Sequence, residues 1–118
     1  MQTSYFAKYK KIENAVSIAL SSPKGFKGKE YKKLAPPSWL LKKYKNDNDK
    51  DFYIKAYYDE VLNNLDPDKV YKELGKDAVL LCWEKSGKFC HRYLVSEWLS
   101  HNLKICITEY SDEIDIFS

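Results

Sequence analysis

The sequence predicts an α/β fold: one small domain in which a mainly parallel sheet of three to four strands is covered by helices on both faces. Three observations predict it. Apolar residues run almost unbroken through Asn14–Leu20 and Ala78–Trp83, as suits strands buried on both sides. Between and after these runs, apolar residues recur at spacings of three and four, the amphipathic helical pattern. The resulting order, β-(β)-α-α-α-β-α-β, separates strands by helices and so implies crossovers and parallel pairing. A chain of 118 residues with 44% hydrophobic content fits a single domain over 1–118, closed by an acidic tail from about residue 110.

The elements follow in order. Gln2–Phe6 is a short strand, since Thr3 and Tyr5 favour extended backbone. Asn14–Leu20 is the firmer early strand. Ser21–Lys29 breaks all periodicity, punctuated by Pro23, Gly25 and Gly28 and charged by Lys24, Lys27 and Lys29. Beyond Pro36-Pro37, Ser38 is placed to cap a short helix from Trp39 to about Lys45. Asn46–Lys50 is a polar turn. A longer helix, Asp51–Asn64, carries Ile54, Tyr57, Tyr58, Val61 and Leu62 on one stripe. Asp66-Pro67 reads as an N-cap with proline at the first helical position, and Gly75 as the stop after Leu74. The strand Ala78–Trp83 then leads through a polar loop into a helix over Cys90–His101 with Leu94, Val95, Trp98 and Leu99 inward. Leu103–Glu109 is a last strand. In the tail, Ile114, Ile116 and Phe117 are placed to tuck back against the core.

Composition excludes several classes. No run approaches the roughly 18 apolar residues of a membrane span. Lys8, Lys10 and Lys11 interrupt any signal-peptide pattern, so a cytoplasmic protein with no membrane partner is expected. Three cysteines, Cys82, Cys90 and Cys106, are an odd number in a signal-less chain, which favours reduced thiols over a disulfide framework. With His91 they offer soft ligands that zinc accepts, but they form no Cys-x-x-Cys pair and Cys82 and Cys106 sit on strands that read as core, so no metal and no cofactor is assigned. The net charge of +3 is mild, but residues 8–45 are lysine-rich. That half is either an ordinary solvated surface or a face for nucleic acid.

In an open parallel sheet, ligands bind beyond the carboxyl ends of the strands. Two loops leave in that direction: Ser21–Lys29, and Glu84–Phe89 leading into Cys90-His91-Arg92. The site is expected where they converge. A helix N-terminus offers unpaired N–H groups and a positive dipole end, which suit a small anion or lower a thiol's pKa. Cys90 and His91 are therefore the candidate catalytic pair, as nucleophile and as acid/base. Arg92, Ser21, Ser22, Lys24, Lys27 and Glu84 are the candidate ligand contacts. Adjacent helical residues diverge by roughly 100°, so a ligand held between Cys90 and His91 is expected rather than a direct pair. The structural readings stand beside these: Cys90 as inert packing, His91 as a satisfied semi-core residue, Arg92 as a surface residue pairing with Glu97 or Glu84. Gly25-Phe26-Lys27-Gly28 is similar to a phosphate cradle in composition only, lacking the Gly-Lys-Ser/Thr ending.

Pro23-Lys24-Gly25-Phe26, Tyr31-Lys32-Lys33-Leu34-Ala35-Pro36, Leu65-Asp66-Pro67, Leu80-Leu81-Cys82-Trp83-Glu84-Lys85 and Phe89-Cys90-His91-Arg92-Tyr93-Leu94-Val95-Ser96-Glu97-Trp98-Leu99 together resemble the domain of unknown function 488 family. The resemblance runs from about Thr3 to Tyr110. It implies an α/β domain of prokaryotic or phage origin and a shared Cys-His-Arg signature. It also adds Ser4, at the polar end of the first strand, to the candidate site. It names no reaction. Three functions stay open: action on a small anionic ligand such as a nucleotide or nucleobase derivative, non-catalytic nucleotide or nucleic-acid binding, and a structural or partner-binding role. No oligomeric state follows from the sequence.

Overall fold

In the computed structural model, which describes residues 1–85 and 88–110, the strands are β1 (Gln2–Tyr5), β2 (Ala15–Ser17), β3 (Lys29–Glu30), β4 (Val79–Cys82) and β5 (Thr108–Glu109). They form one sheet in the order β3-β2-β4-β1-β5, and every pairing is parallel. That is one strand more than the upper expectation. The addition is β3, two exposed residues at the end of the segment that reads as loop. The expected tail over residues 110–118 lies outside the described residues from 111 onward, as do Ile114, Ile116 and Phe117.

Four α-helices cover one face: α1 (Ser38–Asp47), α2 (Lys50–Glu60), α3 (Pro67–Leu74) and α4 (His91–Leu103). Their inward residues, including Leu40, Tyr57, Val70, Leu74, Val95 and Leu99, close on Val16, Ile18 and Leu80 of the sheet side in one cluster. The other face is closed by a 3₁₀ helix, Phe6–Lys11, through Phe6, and by Ile12 and Ala19, against Val79 and Leu81. The alternation of a strand explains this division, because Leu80 and Leu81 point to opposite sides.

The caps account for most boundaries. Asp66 accepts from the Asp68 amide at 3.0 Å and Pro67 opens α3, as their residue types predict. α2 begins earlier than expected because Asp49 is its cap, accepting from the Phe52 amide at 3.1 Å. It also ends at Glu60, and the remaining turn tightens into a 3₁₀ segment, Leu62–Asn64. Ser38 lies inside α1, which Pro37 precedes in extended conformation. The last strand is shorter than its apolar pattern: Leu103 completes α4, Lys104 turns left-handed at φ 56°, and pairing starts only at Thr108. Among the described residues, no helix is long and apolar enough to cross a membrane.

Candidate functional site

β2 and β4 are neighbours, yet their outgoing connections diverge. The chain leaving β2 crosses to β3 at one edge, while the chain leaving β4 passes through α4 to β5 at the other. A crevice at such a point, outside the carboxyl ends of the strands, is the favoured ligand position in parallel sheets. A cleft of about 380 Å³ occupies it. Ala19, Leu20 and Ser21 come from the segment after β2; Cys82, Trp83 and Glu84 from the end of β4; Cys90 and His91 from the start of α4; and Pro36, Leu41 and Lys45 from α1 and its approach.

Cys90 precedes α4 in extended backbone, φ −154° and ψ 148°, and no side chain caps the helix there. This geometry overturns one expectation. Because Cys90 is not helical, the 100° divergence of neighbouring helical residues does not separate it from His91. The His91 Nδ1 lies 3.7 Å from Cys90 Sγ, a direct contact. His91 Nε2 lies 2.7 Å from the Ile18 carbonyl oxygen. A carbonyl only accepts, so Nε2 carries the proton and Nδ1 presents its lone pair to the sulfur. Burial pushes the His91 pKa down to about 4, helped by the charge of Arg92 and opposed by the Ile18 bond, so the ring is neutral near pH 7. The ring is also held edge-on against Tyr57, with centroids 5.6 Å apart.

The thiols differ from expectation as well. Cys82 and Cys90 meet sulfur to sulfur as a disulfide, and only Cys106 is free, on the surface. An odd cysteine count argues against a framework of bridges but not against one local pair. Here the last residue of β4 and the residue before α4 return to the same point after a loop of a few residues.

Arg92 is fully buried and supports the site from below. Its Nη2 donates to Glu109 Oε2 at 2.8 Å and its Nε to Oε1 at 3.3 Å. Its Nη1 donates to the Glu84 carbonyl at 2.6 Å and to Cys82 Sγ at 2.9 Å. Arg92 is thus no surface residue: its ion pair is with Glu109 rather than with the carboxylate of Glu84 or Glu97, and it does not line the cleft.

The expected convergence of two whole loops is only partly realised. Ser21 reaches the cleft, its carbonyl accepting from the Trp83 indole N–H at 2.9 Å. Glu84 lines it too. Ser22 instead bonds Ser17 Oγ at 2.8 Å and Glu30 Oε2 at 2.5 Å. Lys24 is exposed and outside the lining. Lys27 lies at the amino end of β2, beside a larger hollow of about 790 Å³ that Asn14, Gly28 and Lys29 also line. Among the described residues its lining holds no thiol, hydroxyl or imidazole, so volume alone does not choose the site. Ser4 pairs with Leu81 and therefore faces away from Cys82; its Oγ is buried with no partner among the described residues.

Cys82, Trp83 and Lys45 are the residues sequence reasoning did not select. Cys82 carried a usable signal, since it ends a strand at the carboxyl edge eight residues before Cys90. Lys45 carried none, because only the packing of α1 brings it there. Four lysines of the basic half are already engaged: Lys29 with the Glu73 carbonyl, Lys33 with the Glu73 carboxylate, Lys32 with Glu30 and Lys43 with Asp47.

A family model described as the active DUF488-N3 subclade matches residues 7–103. No curated protein and no solved structure matches.

Proposed function

The chain belongs to the DUF488 family, and from that premise and the cleft at the β2–β4 switch point we propose that the protein binds a small anionic ligand there and acts on it through Cys90 and His91. The observation that carries the reading is the fixed imidazole, whose Nδ1 lone pair faces Cys90 Sγ on the cleft floor. A nucleophile, a base within reach and a third group orienting the base is the arrangement that activated nucleophiles require. The description of the matching subclade as active is in keeping with chemistry at this signature.

The roles follow from placement. In the dithiol form, Nδ1 is placed to take the Cys90 proton and leave the sulfur as a thiolate. The uncapped start of α4 favours the resulting thiolate. Lys45 and the first-turn N–H groups hold the anion, in place of Arg92. Cys82 is the disulfide partner of Cys90, and Arg92 Nη1 donates to its sulfur. Trp83 is about half exposed on the rim, an aromatic surface on which a nucleobase can stack. A cleft of about 380 Å³ lies within the range of small-molecule sites, roughly 300–1,000 Å³.

The test is competitive labelling. The chain is reduced and treated with iodoacetamide at neutral pH, with and without a nucleoside monophosphate. Cys90 is expected to react faster than the exposed Cys106 despite its burial, and the nucleotide to slow Cys90 alone. Cys90 labelling no faster than Cys106, and indifferent to the nucleotide, overturns the reading.

A further inference from the structure

Cys82 Sγ, Cys90 Sγ and a ring nitrogen of His91 all lie within 4.8 Å of one another, and all three residues are buried. From this cluster we infer that the dithiol form holds one soft divalent ion, of the Zn²⁺ class, with a coordination position open to the cleft.

The donor set is two sulfurs and one imidazole. Thiolates and imidazoles are the ligands that Zn²⁺ takes in tetrahedral sites. Three protein ligands with the fourth position facing a ligand cleft is the arrangement of catalytic rather than structural zinc. The charges also balance: two thiolates and a neutral ring neutralise a dication.

Two further observations point the same way. Metal-bound histidines commonly donate their second ring N–H to a carbonyl or carboxylate, which fixes the tautomer and aims the other nitrogen. His91 does this: Nε2 is engaged by the Ile18 carbonyl and Nδ1 faces the sulfurs. Arg92 Nη1, 2.9 Å from Cys82 Sγ, supplies an N–H to a ligand sulfur from outside the site. The backbone spacing is the second observation. The Cα atoms of Cys82 and Cys90 are 7.3 Å apart, wider than the roughly 4.4–6.8 Å that disulfides usually span. An ion between the sulfurs, with two metal–sulfur bonds of about 2.3 Å each, suits the wider spacing.

Sequence spacing hides such a site because its ligands come from a strand end and a helix start. The usual Cys-x-x-Cys signature belongs to a turn. On binding, each thiol gives up its proton to solvent and the ion takes both sulfur lone pairs. The role of the open position rests on the cleft being the ligand site; the donor set itself does not. The metal site changes the part of Cys90 in the loaded form from nucleophile to ligand, with the open position becoming the reactive one.

The test uses the full chain, reduced with a phosphine under anaerobic conditions, and Co²⁺ as a spectroscopic substitute for Zn²⁺. One ion per chain is expected, with a sulfur-to-metal charge-transfer band and tetrahedral visible bands that Zn²⁺ displaces. Cys82→Ser and Cys90→Ser should each diminish the sulfur band, and His91→Gln should weaken binding at least tenfold while leaving sulfur ligation visible. Cys106→Ser should change nothing. Should a variant fail to fold, the unmodified chain answers by itself: Zn²⁺ should shield Cys82 and Cys90 from alkylation and leave Cys106 open. A missing band, a band that Cys106→Ser abolishes, or equal alkylation with and without Zn²⁺ overturns the inference. If nucleotide still shields Cys90 while no metal binds, the metal site fails and the ligand reading stands. If metal binds but nucleotide shields nothing, the ligand reading fails and the metal site stands.

Discussion

Arg92 has no exposed surface, and each of its three guanidinium nitrogens makes at least one hydrogen bond. An Arg beside a helix N-terminus reads as an anion clamp, and the anion it holds is internal. Glu109 is 17 residues away in sequence and belongs to an edge strand of two residues, so nothing local announced the pair. Thr3 and Tyr93 also donate to Glu109, at 2.6 Å and 3.2 Å, which satisfies a carboxylate that would otherwise be costly to bury. The network needs the planar fork of arginine as much as its charge. Arg92→Lys is therefore expected to destabilise the chain by about 2–4 kcal/mol, read from urea unfolding. A double-mutant cycle with Glu109→Gln should show strong coupling, whereas additive losses would mean that the two residues act independently. By contrast, the inward direction of His91 was readable from its place before Leu94, Val95 and Trp98. Its contact with Cys90 was not, because that depends on Cys90 lying outside the helix.

At the scale of elements, existence was easier to read than extent. Apolar runs marked β2 and β4, and Asp66-Pro67 marked the start of α3 by its own chemistry. Extents are set by tertiary partners: β2 keeps three residues of a seven-residue run because the chain turns away after Ser17 to reach the cleft. The loop between β2 and β3 shows the same limit. Its glycines suggested a phosphate cradle, but they answer to the fold. Gly25 takes φ 82°, a left-handed turn that glycine adopts without strain. Gly28 sits where an added Cβ would lie 2.6 Å from the Ala15 carbonyl oxygen and 2.5 Å from the Phe26 ring. The backbone of β2 cannot yield there without disturbing the pairing of β2 with β4. Gly28→Ala is accordingly expected to cost about 1–3 kcal/mol of stability. Because Gly28 lies at the amino end of β2, the labelling rate of Cys90 in the folded variant should not change. A stable Gly28→Ala chain would show that the close approach is not needed.

For the molecule as a whole, the cleft floor and the core are one structure. The four helices pack on one face of the sheet, and the ring of His91 rests on Tyr57, which is itself fully buried among them. The Tyr57 hydroxyl donates to the Leu34 carbonyl at 2.6 Å, tying α2 to the segment that precedes α1. Burial raises the phenol's pKa well above its ordinary value, which favours the protonated, donating form. The parallel order and the switch point could be anticipated in kind from strands alternating with helices. This linkage between core and site could not, since it joins residues 34, 57 and 91. Two substitutions separate its parts. Tyr57→Phe keeps the ring against His91 and leaves the Leu34 carbonyl without its donor, so about 1–2 kcal/mol should be lost, a fall of roughly 3–10 °C in Tm. Cys90 should then react with iodoacetamide as before. Tyr57→Ala removes the ring as well and should cost about 3–5 kcal/mol. The freed imidazole would then sample other rotamers, and Cys90 labelling in the surviving folded population should change severalfold. Equal labelling in the two variants would mean that the ring does not position His91, and that the Ile18 carbonyl alone fixes the imidazole.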